Sequence, residues 1–189
     1  DPFPNGLSDG WRVIGALQDG GQPGLFLSGD SAGGGLAASL ASLAVENGLP
    51  LQGLILLSPW LDLTVSSPSY EANAGTDRLF SRAQAQESAE LYLQGHDPRD
   101  PRVSPLLGTV RGFPPSLLSV GLGEVLADDA LKFHAALQAA GVASDLCAIA
   151  GMAHVAVVQD ENLPGAAETL AAVCAFLKRR IVAADGMQA

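Results

Sequence analysis

Residues 25–34 are Leu25-Phe26-Leu27-Ser28-Gly29-Asp30-Ser31-Ala32-Gly33-Gly34, an apolar run that leads into a Gly-x-Ser-x-Gly motif. The run has the length of a buried strand, and the Ala- and Leu-rich residues 33–45 after it predict a helix. Glycines at such a junction permit a sharp turn that leaves the serine hydroxyl in the open. The stretch indicates a nucleophile elbow in which Gly29, Asp30 and Gly33 surround Ser31. The alternative is a glycine-rich entry to the helix.

Other segments of the chain continue the alternation of short apolar runs and helical patterns. Strands are predicted at 54–57, 117–120 and 145–149, and helices at 7–17, 83–93, 129–140 and 166–180. Continuous apolar strands alternating with helices indicate a parallel sheet covered on both faces, with right-handed crossovers. The segment between the second and third strands is too long for a plain crossover. We therefore expect one α/β domain over residues 1–189 with an insertion in it.

Composition and charge exclude several classes of protein. With 48% hydrophobic and only 16% charged residues, the 189-residue chain has the content of a folded domain rather than of a disordered segment. Its net charge of −10 would repel phosphate backbones and anionic lipid headgroups. No uncharged apolar run reaches the ~20 residues that a membrane span needs. We expect neither nucleic acid nor a membrane as a partner.

The two cysteines, Cys147 and Cys174, indicate a reducing compartment. Both lie in apolar surroundings without a second Cys or His at metal-ligand spacing, and a disulfide framework would show more cysteines. We expect buried, reduced thiols and a cytoplasmic location. The same lack of ligand spacing predicts no bound metal, and the chemistry of a serine nucleophile needs no organic cofactor.

A serine nucleophile needs a base to take its proton, and three histidines are available. His96 lies in a Pro-rich segment, and His134 lies inside a predicted helix where exposure is expected. His154 follows the fourth strand, at a carboxyl end where open α/β sheets build their sites. We predict His154 as the base, and a structural loop histidine is the alternative.

We expect the acid that orients the base to follow the third strand. Glu124 follows the strand's expected end at Gly121 by three residues, which predicts a position in the loop at the same edge of the sheet. Asp128 and Asp129 have another role available, because carboxylates at the start of a helix cap amides and oppose the dipole. We predict Glu124 as the acid, with Asp128 second. The resulting order of serine, acid and histidine is that of α/β-hydrolases.

Several further motifs occur in an order that resembles a known family. From Pro2 to the last helix the chain is similar to the C-terminal two-thirds of bacterial hormone-sensitive-lipase-like esterases. The matching stretches are Gly29-Asp30-Ser31-Ala32-Gly33-Gly34, Leu57-Ser58-Pro59-Trp60-Leu61-Asp62, Tyr92-Leu93-x-Gly95 with Asp97-Pro98, Ser104-Pro105-Leu106, Phe113-Pro114-Pro115, Glu124-Val125-Leu126 with Asp128-Asp129, and Gly151-Met152-x-His154.

The resemblance implies an α/β-hydrolase fold and a serine carboxylesterase that acts on short acyl esters. In that family the acid lies about thirty residues before the histidine, which supports Glu124. The amide of Ala32, next to the nucleophile, would bind the oxyanion. Residues 61–105 would form a lid-like insertion. An acyl pocket would be lined by Trp60, Leu79, Phe80 and Tyr92, for which core packing is the equal alternative.

One departure from the family bears on activity. Its members carry a His-Gly-Gly motif upstream of the serine, in a loop whose amides form most of the oxyanion hole, and this chain contains no such motif. We expect the first strands of the sheet to be absent as well, which makes the strand at 25–28 an edge. Such an edge favours pairing with an N-terminal segment or with a second copy. A catalytically impaired fragment and a non-catalytic binding protein, like the plant gibberellin receptors that lack the histidine, are the alternatives.

Overall fold

A computed structural model describes residues 1–21 and 24–185, with side chains as far as Ile181. The elements alternate between helices and strands as the sequence predicts, with boundaries that differ by a few residues. In chain order they are α1 (Asn5–Asp19), β1 (Phe26–Asp30), α2 (Ser31–Glu46), β2 (Gly53–Leu57), α3 (Ser69–Ala72), α4 (Arg82–Leu93), a 3₁₀ turn (Pro105–Leu107), β3 (Ser116–Gly121), α5 (Ala127–Ala139), β4 (Ser144–Ile149), α6 (Ala156–Gln159) and α7 (Ala166–Asp185).

The four strands form one parallel sheet in the order β1-β2-β3-β4, which confirms the predicted fold class. All four therefore end at the same edge, where Asp30 lies beside Leu57 and Gly121 beside Ile149. Within the described residues β1 pairs only with β2, so it is an edge strand as predicted. The sequence did not predict α3, α6 or the 3₁₀ turn, because elements of three or four residues are too short to show a period.

Helices cover both faces of the sheet, and the alternation of side chains along β2 shows how. Leu54 and Leu56 pack in one cluster with residues of α2 and α5, among them Phe133. Ile55 points the other way and packs with Phe176 of α7. Burial on both faces explains why the sequence of β2 is continuously apolar rather than alternating.

The chain between β2 and β3, residues 58–115, has an apolar cluster of its own, to which Trp60, Tyr70, Ala85 and Leu93 contribute. This cluster also includes Val125 and Leu126 at the entrance to α5. Nearby, the buried carboxylate of Asp129 accepts hydrogen bonds from the backbone N–H groups of Leu61 and Asp62 and from the hydroxyl of Ser67.

The two cysteines differ in their exposure to solvent. Cys174 is exposed on α7, so the prediction that both thiols are buried is wrong for it; the apolar neighbours in sequence lie on other faces of the helix. Cys147 on β4 is half-buried, and this burial raises the pKa of its thiol. No helix among the described residues is long and apolar enough to cross a membrane.

The junction between β1 and α2 leads to a prediction about Gly29. A Cβ at this position would lie 2.1 Å from the carbonyl oxygen of Gly33, a backbone atom that cannot move cheaply. We expect Gly29→Ala to lower the free energy of unfolding by about 3 kcal/mol in urea denaturation. Gly33→Ala is the matched control, because its Cβ would meet nothing closer than Asp30 Oδ1 at 4.0 Å. It should raise stability by about 0.5–1 kcal/mol, as alanine does inside a helix. Equal effects of the two substitutions would contradict the close approach.

The burial of Asp129 predicts a pH dependence of stability. Burial raises the pKa of this carboxyl to about 6, although the Leu61 amide and the Ser67 hydroxyl oppose the shift. Because the folded state holds the proton more tightly than the unfolded state, the stabilisation is complete below about pH 4 and is lost as the pH rises through 6. Relative to Asp129→Asn, the wild type should lose at most about 3 kcal/mol between pH 4 and pH 7.

Urea denaturation of both proteins at pH 4, 5, 6 and 7 measures this difference in the free energy of unfolding. The contributions of the other titrating groups are common to both proteins and cancel in the difference. If the wild type instead gains stability relative to Asp129→Asn as the pH rises, the hydrogen-bond donors lower the pKa of Asp129 by more than burial raises it.

Candidate active site

Ser31 lies where β1 passes into α2, with a backbone φ of +51°. This left-handed conformation is uncommon for a residue other than glycine and costs on the order of 1–3 kcal/mol. The backbone around it is held in place, since the Trp60 N–H donates to the Ser31 carbonyl at 2.9 Å. The structure therefore places Ser31 at a sharp turn from strand to helix, with Gly29 and Asp30 before it on β1 and Gly33 after it on α2.

His154 lies between the serine and a carboxylate. Its Nε2 is 2.9 Å from Ser31 Oγ, and its Nδ1 is 2.7 Å from Glu124 Oε2. The histidine follows β4 through a turn at Gly151, where φ is +76°. Both ring nitrogens are thus engaged, the arrangement in which a carboxylate fixes the tautomer and the other nitrogen faces a hydroxyl.

Glu124 is only 1% exposed, and hydrogen-bond donors surround its carboxylate. Its Oε1 accepts from the hydroxyl of Ser58 at 2.8 Å and from the backbone N–H of Gly121. The close packing of this loop needs Gly121, because a Cβ there would lie 2.1 Å from the carbonyl oxygen of Met152. The loops after β3 and β4 are therefore in direct contact.

The two aspartates that follow Glu124 have other partners. Asp128 accepts from the Ser69 N–H at 3.0 Å and lies 3.9 Å from Lys132 Nζ. Both acidic residues lie in the first turn of α5, as predicted, but the amides they cap belong to the segment between β2 and β3. Of the three candidates after the third strand, Glu124 is the one bonded to His154.

The other two histidines lie away from Ser31. His96 bonds Asp100 at 2.7 Å, and the hydrogen bond from Arg102 holds the pKa of that carboxyl well below its usual range. His134 is half-buried rather than exposed, because its Nδ1 lies 2.7 Å from Ser144 Oγ.

The segment before α4 fastens the loop that carries Glu124. Asn73 donates from its side-chain amide to the carbonyls of Leu122 and Glu124, and the Thr76 hydroxyl donates to the carbonyl of Gly123.

Asp77 makes a further contact with this loop. One of its carboxylate oxygens accepts from the Val125 N–H, while the other accepts from the backbone N–H groups of Leu79 and Phe80. We call residues 73–80 the strap. Sequence analysis missed the strap, because its contacts join residues about fifty positions apart.

A cavity of about 310 Å³ lies at the first turns of α2, and Ala32, the residue after Ser31, is part of its wall. It is lined mainly by apolar groups, including Ala32, Gly33, Leu36, Trp60 and Tyr92. Trp60 also belongs to the apolar cluster of residues 58–115, so both alternatives raised by the sequence apply to it.

The other two expected pocket residues lie nearer to His154. Phe80 lies with its ring nearly parallel to the imidazole, the centroids 6.0 Å apart, and edge-on to Trp60. Leu79 is 51% exposed and lines a second cavity of about 280 Å³ together with Glu124 and His154. Leu79 and Trp60 therefore line different cavities in the structure, and a single acyl pocket that includes both stays a prediction.

Two further features bear on the chemistry that the site allows. Ala32 lies in the first turn of α2, where backbone N–H groups have no partner within the helix. Among the described residues, no group of three or more His, Cys, Asp or Glu side chains is placed to hold a metal ion.

Comparison with known proteins agrees with this architecture. The family model described as the alpha/beta hydrolase fold matches residues 1–158. An acetyl-hydrolase of Streptomyces hygroscopicus is 39% identical over 145 residues, which are 74% of this chain and 48% of that protein. An esterase of Acinetobacter venetianus is 37% identical over 154 residues, 80% of this chain and 51% of that protein.

A solved structure of an esterase from the bacterial hormone-sensitive lipase family has a TM-score of 0.91 and 35% identity, covering 96% of this chain and 62% of the other. The chain thus spans about half the length of the curated relatives named above. The resemblance drawn from the sequence motifs is confirmed, and the chain belongs to the α/β-hydrolase fold family.

Proposed function

We propose that this chain carries the catalytic residues of a serine carboxylesterase that hydrolyses short-chain acyl esters. The observation that supports this most strongly is the continuous row of hydrogen bonds from Ser31 through His154 to Glu124. A serine hydroxyl is a weak nucleophile unless a base removes its proton, and the base must present the correct nitrogen. A binding protein on this fold would have no need of the histidine.

In the proposed reaction, His154 Nε2 takes the Ser31 proton as Ser31 Oγ attacks the ester carbonyl carbon. The tetrahedral intermediate collapses when the imidazolium returns this proton to the leaving alcohol, which leaves an acyl-enzyme. Water then attacks the acyl carbonyl, with His154 again acting as base, and the carboxylic acid is released. Glu124 stabilises the imidazolium in both half-reactions.

The negative charge that forms on the carbonyl oxygen needs hydrogen-bond donors. The N–H of Ala32, in the first turn of α2, is the donor that this chain offers directly after the nucleophile. Further donors would come from the His-Gly-Gly loop that the resemblance implies and that this sequence lacks. Because each donor contributes about 2.7–4 kcal/mol to the transition state, we expect the chain alone to turn over slowly.

The size and lining of the cavity favour a small, uncharged acyl group. A volume of about 310 Å³ with mostly apolar walls suits a short aliphatic chain. Arg102 at its rim is already paired with Asp100, and the net charge of −10 disfavours anionic esters. Residues 61–105, including the strap, would act as the lid over this cavity.

Loss of the serine hydroxyl provides the direct test. We expect Ser31→Ala to abolish hydrolysis of p-nitrophenyl acetate and butyrate above the background rate, because no nucleophile remains. Since turnover by the chain alone is expected to be slow, labelling with a fluorophosphonate ester, followed by mass spectrometry, gives a second measurement. The label should reside on Ser31. Ser28→Ala, which removes an exposed hydroxyl on the same strand, should leave both results unchanged. Equal hydrolysis by wild type and Ser31→Ala would refute the proposal.

Substitutions at Glu124 and Asp128 test which of the two carboxylates orients the histidine. Glu124→Gln removes the charge that stabilises the imidazolium and should lower kcat by roughly 10⁴-fold, the scale found when a triad carboxylate becomes an amide. Asp128→Asn keeps the shape of a residue that bonds Ser69 and should leave kcat near the wild-type value. Steady-state kinetics on p-nitrophenyl butyrate measures both. A larger loss in Asp128→Asn would reverse the assignment.

A further inference from the structure

Ser58 stands out among the described residues, because its conformation is unusual for its place in the chain. It follows β2 directly, is 1% exposed and has a φ of +45°. The next residue is Pro59, and residues before proline normally adopt an extended backbone near −120°. A strained residue of this kind persists only where its contacts hold it in place.

The hydroxyl of Ser58 joins the two loops that carry Glu124 and His154. It donates to Glu124 Oε1 at 2.8 Å and accepts from the backbone N–H of Val155 at 3.1 Å. Val155 immediately follows His154, so this one oxygen atom contacts both loops.

The sheet and the elbow fix the position of this hydroxyl. The Ser58 N–H donates to the Ser119 carbonyl at 2.7 Å and thereby extends the pairing of β2 with β3 beyond the end of the strand. Two residues later the Trp60 N–H bonds the Ser31 carbonyl. Residues 58–60 thus contact the serine, the acid and the residue after the histidine.

We propose that Ser58 is a positioning residue for the serine esterase proposed above, and this inference rests on that function. Ser58 and the Gly121 N–H together hold Glu124 Oε1, which leaves Oε2 directed at His154 Nδ1. Without the hydroxyl the carboxylate has one anchor instead of two, and the buried Val155 N–H loses its acceptor. The imidazole then loses its fixed orientation toward Ser31.

Two substitutions of Ser58 distinguish the hydroxyl from the backbone strain. Ser58→Ala removes the hydroxyl and keeps a Cβ at positive φ, whereas Ser58→Gly removes the hydroxyl and relieves the strain. We expect both to lower kcat by about 10- to 100-fold, the scale of a small misplacement of catalytic groups, with KM within about twofold. Ser116→Ala is the matched control: Ser116 is equally buried, and its hydroxyl donates to the Pro114 carbonyl, away from the site. It should keep the wild-type kcat.

Proton NMR of the same proteins provides a readout that does not depend on turnover. The proton between His154 Nδ1 and Glu124 should give a far-downfield signal in the wild type and in Ser116→Ala. In Ser58→Ala and Ser58→Gly it should move upfield or broaden through exchange with solvent. An unchanged signal in both Ser58 variants, wild-type kcat in Ser58→Gly, or an equal loss in Ser116→Ala would overturn the positioning role. Hydrolysis that does not depend on Ser31 would instead refute the esterase itself, and the NMR result would still decide what Ser58 does.

Discussion

The buried carboxylate of Glu124 is the constraint on which the geometry of the site depends. An ionised carboxylate removed from water costs several kcal/mol unless hydrogen-bond donors replace its hydration. The donors come from three places: the end of β2 through Ser58, the end of β3 through Gly121, and the loop after β4 through His154. Satisfying this one group therefore brings the ends of three strands together, and the third donor is the histidine that faces Ser31.

The parallel sheet makes this convergence possible. Because all four strands run in one direction, their carboxyl ends share one edge, and each contributes a short loop there. Glycine allows the loops to approach closely: Gly29 admits the first turn of α2, and Gly121 admits the backbone of Met152. The positive φ angles of Ser31, Ser58 and Val155 lie at the same edge, so backbone strain is concentrated where the side chains must meet.

The parts of this arrangement that could be predicted from the sequence are those encoded locally. Each strand contains a short apolar run, and Ser31, Glu124 and His154 each follow a strand, so their meeting at one edge follows from the topology. Ser58 also follows a strand, so the topology places it at the same edge, but a serine that is neither nucleophile, acid nor base has no sequence signal that separates it from other serines. The strap could not be predicted, because Asn73 and Asp77 act through backbone groups about fifty residues away. Which face of a helix carries Cys174, or which cavity Leu79 lines, likewise depends on packing rather than on pattern.

The six residues from Glu124 to Asp129 serve two parts of the molecule at once. Glu124 bonds the histidine, whereas the Val125 N–H, Asp128 and Asp129 bond Asp77, Ser69 and the start of the segment 58–115. These contacts are buried or half-buried, and a packed interior transmits a shift rather than absorbing it. A displacement of the strap would therefore reach the carboxylate through at most one intervening residue. The orientation of His154 therefore depends on the strap as well as on the ends of the strands.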